Sequence, residues 1–130
     1  MISISYNKDT PPLRINKNLL SVYKNECDTY LVDIRRELTR SLVDYQRFQE
    51  LQNVNNGFYN IIHGLDEGEF INISQLNSVK HQLVLDLEAF LKNCKTSIDT
   101  DIYEPIQRSS RKLMLTVHKL IQILTTINEE

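Results

Sequence analysis

The chain has 130 residues, of which 15 are Lys or Arg and 17 are Asp or Glu, giving a formal net charge of -2 at pH 7. With 41% hydrophobic and 25% charged residues, it has the make-up of an ordinary globular domain, long enough to close one core without disulfides or metal. The near balance of charge argues against nucleic-acid binding by bulk positive charge. No apolar run approaches the roughly 18 residues that mark a membrane span, and Asn7, Lys8 and Asp9 follow too soon after Ile2 and Ile4 for a signal-peptide core, so the expectation is a soluble, cytoplasmic protein with no membrane partner.

Residues 1-16 contain Pro11, Pro12 and the short alternation Ile2-Ser3-Ile4-Ser5-Tyr6. A lone strand cannot form a sheet without a partner, and this segment is expected to be a flexible N-terminal arm, mobile or draped, ahead of a helical bundle domain over 17-130. From Lys17 to Gln52 there is neither Gly nor Pro, and Leu20, Tyr23, Cys27, Leu31, Ile34, Leu38, Leu42 and Tyr45 step by three and four. That is the spacing of one face of a helix, and it predicts one very long helix over 17-52. Asn53, Asn55, Asn56 and Gly57 then read as its stop, since Asn and Gly tolerate the left-handed conformation that ends helices. A short helix over 58-65 leads to the acidic loop Asp66-Glu67-Gly68-Glu69.

A second long helix is predicted over 73-97, capped by Asn72 or Ser74, with the stripe Leu76, Val79, Leu83, Leu87, Phe90, Cys94 and Ile98. The last helix is predicted over 101-128. Asp101 and Glu104 have the spacing of a capping box, Pro105 falls near its start, and Ile106, Leu113, Val117, Leu120 and Leu124 form its stripe. Ser109 and Ser110 are small enough to admit a neighbouring helix. The fold expectation is therefore all-α: an elongated up-down-up bundle of three long helices plus one short connecting helix. At about 1.5 Å per residue the first helix would reach roughly 54 Å against about 38 Å for the others. It must bend or break, or have its far end covered by the 58-65 segment and a partner, the arrangement favoured here.

Cys27 and Cys94 each fall on the apolar stripe of their own helix, where free cysteine behaves as a small hydrophobe. Neither His81 nor His118 has an acid three residues before it, so no di-iron pair forms. The three glycines are isolated and make no phosphate loop. No cofactor, metal or catalytic residue is expected.

Function must then be sought on the outer faces. Leu115 lies opposite the stripe of the last helix among Arg108, Arg111, Lys119 and Gln122, and Pro105 to Asn128 holds four Lys or Arg and no acid. Leu85 lies opposite the stripe of its own helix, between Ser78, His81 and Lys92. Arg36, Arg40 and Arg47 share an outer face with Val43, with Asp33 and Asp44 close enough to offset them. An apolar centre inside an Arg-containing rim is what protein interfaces enrich. The expected function is a non-enzymatic interaction or assembly subunit that binds a protein partner, or a second copy, through Leu115, Arg108, Arg111, Lys119 and Leu85. The alternative is a small helical subunit that touches nucleic-acid backbone within a larger complex through its basic last helix.

Arg111 and His118, seven apart on one line of the last helix, resemble the Arg-x(4-6)-His pair of HEPN-type ribonucleases, which are also helical bundles. The resemblance covers these two residues and implies that they act on RNA phosphate at a dimer cleft. Lys112 departs from the family pattern, in which a polar or acidic neighbour of the arginine is common.

Overall fold

A computed structural model describes residues 11-41 and 45-129, and every regular element in them is a helix. There are four, α1 (Lys17–Arg40), α2 (Tyr45–Asp66), α3 (Ile73–Ser97) and α4 (Thr100–Asn128). The helices pack in a ring, α1 on α2, α2 on α3, α3 on α4 and α4 on α1, with the diagonal pairs apart. Each neighbouring pair runs antiparallel. Lys17 at the start of α1 meets Asp66 at the end of α2, Asn93 late in α3 meets Glu50 early in α2, Lys80 early in α3 meets His118 late in α4, and Arg14 just before α1 meets Asn128 at the end of α4. The molecule is an up-down-up-down four-helix bundle.

This corrects the expected arrangement of three long helices and one short one. The predicted helix 17-52 ends at Arg40, where Ser41 turns its N–H and Oγ back on Leu38 O at 3.1 and 2.6 Å. α2, antiparallel to α1, runs straight through Asn53, Asn55, Asn56 and Gly57, the expected stop, so the separate helix 58-65 is only its second half. Gly57 is used for packing. A methyl there would sit 3.3 Å from Leu83 Cδ1, so its absence lets α2 approach α3. Gln52 Nε2 also donates to Asn56 Oδ1 at 3.0 Å, one turn on. Leu51, Val54, Phe58, Ile61 and Leu65 carry the buried stripe across the amide-rich stretch, and burial of that stripe outweighs the local preference of Asn and Gly for turns.

The real stop is at Gly68, whose φ of 69° is the left-handed value that glycine adopts without strain. Glu69 N–H reaches Gly64 O at 2.8 Å and Gly68 N–H reaches Leu65 O at 3.4 Å, the bond pair of a Schellman cap. Phe70 folds back onto Gly64, where a methyl would lie 2.4 Å from the ring. Asn72, one of the two caps the sequence offers, then caps α3 in a capping box with Gln75. At α4 the cap is Asp99 and not the Asp101/Glu104 box. The helix begins at Thr100, so Pro105 sits in the second turn and forgoes the bond to Asp101 O.

The core follows the predicted stripes closely. Leu20, Cys27, Leu31, Ile34 and Leu38 of α1, Leu76, Leu83, Leu87, Phe90 and Cys94 of α3, and Ile106, Leu113, Val117, Leu120, Ile121 and Leu124 of α4 are all buried. Two departures come from the break after Arg40. Tyr45, expected on the stripe, is 73% exposed, and Arg47, expected on the outer face, turns inward as an ion pair with Glu50 at 2.9 Å. Asn93 of α3 donates to the other oxygen of Glu50 at 2.6 Å. Leu42, Val43 and Asp44, parts of the predicted stripe and outer face, lie outside the described residues, as do residues 1-10 of the expected arm.

The part of that segment that is described, residues 11-16, crosses the end of the bundle. Leu13 N–H donates to Phe70 O at 2.8 Å, Arg14 N–H to Asn128 Oδ1 at 2.7 Å, and Asn128 Nδ2 to Arg14 O at 3.1 Å. Asn16 caps α1 by accepting from the amides of Asn18 and Leu19.

Candidate interaction face

Leu115 is 60% exposed on α4. Because α3 runs antiparallel beside it, Leu115 and Met114 lie across from Val84, and these three line a hollow of about 480 Å³ together with Lys80, Arg111 and His118. Lys80 Nζ donates to His118 Nδ1 at 2.8 Å. The same two residues open a second hollow, of about 500 Å³, that continues between Asn77, Ile121, Gln122 and Thr126. The two hollows follow one another along the α3–α4 seam, with the Lys80–His118 contact between them, and make one interrupted groove. From Arg111 to Thr126 it runs about 22 Å along the helix axis, at the usual rise per residue.

Among the described residues no Asp or Glu lines this groove. The contrast with α1 and α2 is sharp. There, Lys17 pairs with Asp66, Lys24 with Asp28, Arg36 with Asp33, Arg40 with Glu37 and Arg47 with Glu50. Among the described residues no ion pair involves Lys80, Arg108, Arg111, Lys112 or Lys119. Glu88, one turn beyond Val84 on α3, is exposed and pairs with none of them. A face with several cations and no internal anion has charge to offer a ligand.

Of the residues singled out in the sequence, the fold brings Arg111 and Leu115 into the groove together with His118. Arg108 and Lys119 are exposed on the same helix, one turn to either side. Leu85 is 46% exposed but does not line the groove; it is one residue past Val84, about 100° further round α3. Lys80, Val84 and Met114 escape sequence reading because their membership depends on which helix lies beside α4. The lack of acid from Pro105 to Asn128 was the legible signal.

A second groove runs between α1 and α2 in three hollows of about 590, 560 and 470 Å³. Val32, Tyr45 and Tyr59, all exposed, line it. Its lysines are already matched within the chain, while Arg35 stands over the Phe48 ring. Lys17 and Lys24 hold carboxylates at 2.7 and 3.0 Å, and Tyr59 OH donates to Asp28 at 2.8 Å, a bond that raises the tyrosine pKa by favouring the protonated phenol.

Among the described residues no cluster of three or more His, Cys, Asp or Glu could hold a metal ion, and no helix is long and apolar enough to cross a membrane. No family model matches this chain, and no curated protein or solved structure matches it either.

Proposed function

We propose that this bundle is a non-enzymatic interaction or assembly subunit that binds a protein partner through the groove between α3 and α4. The observation that carries the reading is the groove lined by no acid among the described residues, with Leu115 exposed in its lining. Isolated exposed leucines are common. One set over an apolar hollow and ringed by unpaired cations has the composition of an interface core with its rim. Full burial of a leucine contributes about 1.5 to 3 kcal/mol, whereas a rim cation contributes about 0 to 1 kcal/mol. The ranking of variants follows. Leu115→Asp should remove the partner in co-purification from native lysate, and single substitutions of Arg108 or Lys119 should weaken it less. Retention of every partner by Leu115→Asp at wild-type level would end the reading. The proposal includes a cytoplasmic location, which two free cysteines support.

A reading in which RNA is the ligand has one observation in its favour, that Arg111 and His118 line the same hollow. If the pair acts on phosphate as in HEPN-type ribonucleases, purified protein should cleave single-stranded RNA, and Arg111→Ala and His118→Ala should each abolish cleavage with helix content unchanged. Absence of cleavage by the wild type would close this alternative.

A further inference from the structure

We infer that the occupant of the α3–α4 groove is an acidic amphipathic helix from another protein. This rests on the docking reading above and adds the chemistry of the partner. Three observations support it. The two hollows, with the Lys80–His118 contact between them, together span about 22 Å along α4, the length of a helix of roughly 15 residues; a small ligand would need only one of them. The groove's apolar surface is concentrated in one hollow, at Val84, Met114 and Leu115, while the other is lined mainly by Asn77, Gln122, Thr125 and Thr126 beside Ile121, which suits a helix whose leucine anchors sit at one end and whose polar side chains follow. The groove also carries Lys80, Arg111 and His118, with Arg108, Lys112 and Lys119 exposed along the same helix, and none of these is neutralised by a carboxylate among the described residues. A helix with its leucines at one end, flanked by Glu or Asp, would match both the apolar hollow and the cations.

A nucleic-acid backbone would satisfy the cations but leave Leu115 and Met114 without a partner, and no aromatic side chain lines the groove to stack a base. A bilayer would need a broader apolar surface than this strip. The other bundle groove fits an acidic helix less well, since its lysines are already paired with Asp66 and Asp28 and only Arg35, stacked over Phe48, is left without a carboxylate among the described residues.

The test uses a fluorescein-labelled synthetic helical peptide of about 15 residues, leucines at i, i+4 and i+7 toward one end with flanking glutamates, and a second peptide with every glutamate changed to lysine. Anisotropy against the full chain should show the acidic peptide binding at least about tenfold more tightly, with the preference shrinking as salt rises. The double variant Lys80→Glu/Arg111→Glu should reverse the preference between the two peptides, and Leu115→Asp should weaken both. Circular dichroism confirms that each variant is folded. Equal binding of the two peptides, no binding of either, or indifference to the double charge reversal overturns the inference. It is also overturned if a single-stranded RNA or phosphatidylserine vesicles bind more tightly than the acidic peptide and lose that binding in the double variant, or if the chain instead pairs with itself through Leu115. Loss of the native partner by Leu115→Asp without any charge preference among peptides would leave the docking reading standing and remove only the acidic helix; retention of the native partner removes both.

Discussion

Ser110 is fully buried in α4, and its hydroxyl has no hydrogen-bond partner among the described residues. Its small size admits a neighbouring helix, but a buried unsatisfied hydroxyl costs on the order of 1 to 3 kcal/mol. Ser110→Ala keeps the size, removes the hydroxyl and improves helix propensity. It should raise stability by about 1 kcal/mol or more in urea unfolding, and a loss would mean the hydroxyl is bonded in solution. Core leucines behave in the opposite sense. Leu120 is 2% exposed and Leu83 is 3% exposed, so Leu120→Ala or Leu83→Ala should each cost roughly 2 to 5 kcal/mol. Leu85→Ala, at 46% exposure, should cost well under that. If the three substitutions had similar effects, the assigned faces of α3 and α4 would be wrong.

At the scale of the elements, the informative contest is between local turn chemistry and the buried stripe. Gly57 and Gly68 look alike in sequence, each beside Asn or acidic residues, yet only Gly68 adopts a positive φ and ends a helix. The difference was partly legible. At 100° per residue, Leu38 and Leu51 are about 140° out of phase, so one straight helix could not bury both, while Leu51, Val54, Phe58, Ile61 and Leu65 continue in phase across the Asn-Gly stretch. Gly64 tests the packing at the end of α2. Gly64→Ala gains about 1 kcal/mol of helix propensity but puts a methyl 2.4 Å from the Phe70 ring. The ring must then leave its buried site, losing about 1.5 to 3 kcal/mol, or crowd the turn at a similar cost. Net destabilisation by about 0.5 to 2 kcal/mol is expected in thermal or urea unfolding; a net gain in stability would show that Phe70 is not held against α2.

For the whole molecule, the described residues are 86% helical, and far-ultraviolet circular dichroism should be that of a mainly helical protein, with a strand-dominated spectrum ruling the bundle out. Most of its ion pairs are exposed, so the ring of helices is held chiefly by its apolar interior. That interior includes both cysteines. Burial pushes Cys27 and Cys94 up to about 12 from an ordinary value of 9.0. The folded state holds those protons where the unfolded chain would release them, so this contribution to stability is fully present below about pH 9 and is lost as pH rises through the folded value. Both thiols should react slowly with a disulfide reagent at pH 8 in the native protein and rapidly in urea. Fast native labelling would place at least one of them outside the core.

The sequence by itself determined that the protein is all-helical, which residues of α1, α3 and α4 face inward, and that the basic face of the last helix surrounds an exposed leucine, because these follow from periodicity within one helix. It could not determine the count of helices or their neighbours. The break after Arg40 has no Gly or Pro to announce it, and the Asn-Gly stretch that resembles a stop is overruled by contacts with Leu83 across the bundle. Only the tertiary structure placed Lys80 and Val84 of α3 beside Arg111 and Leu115 of α4. A groove between two helices belongs to neither, and its lining is fixed by packing between segments that the sequence lists more than 25 residues apart.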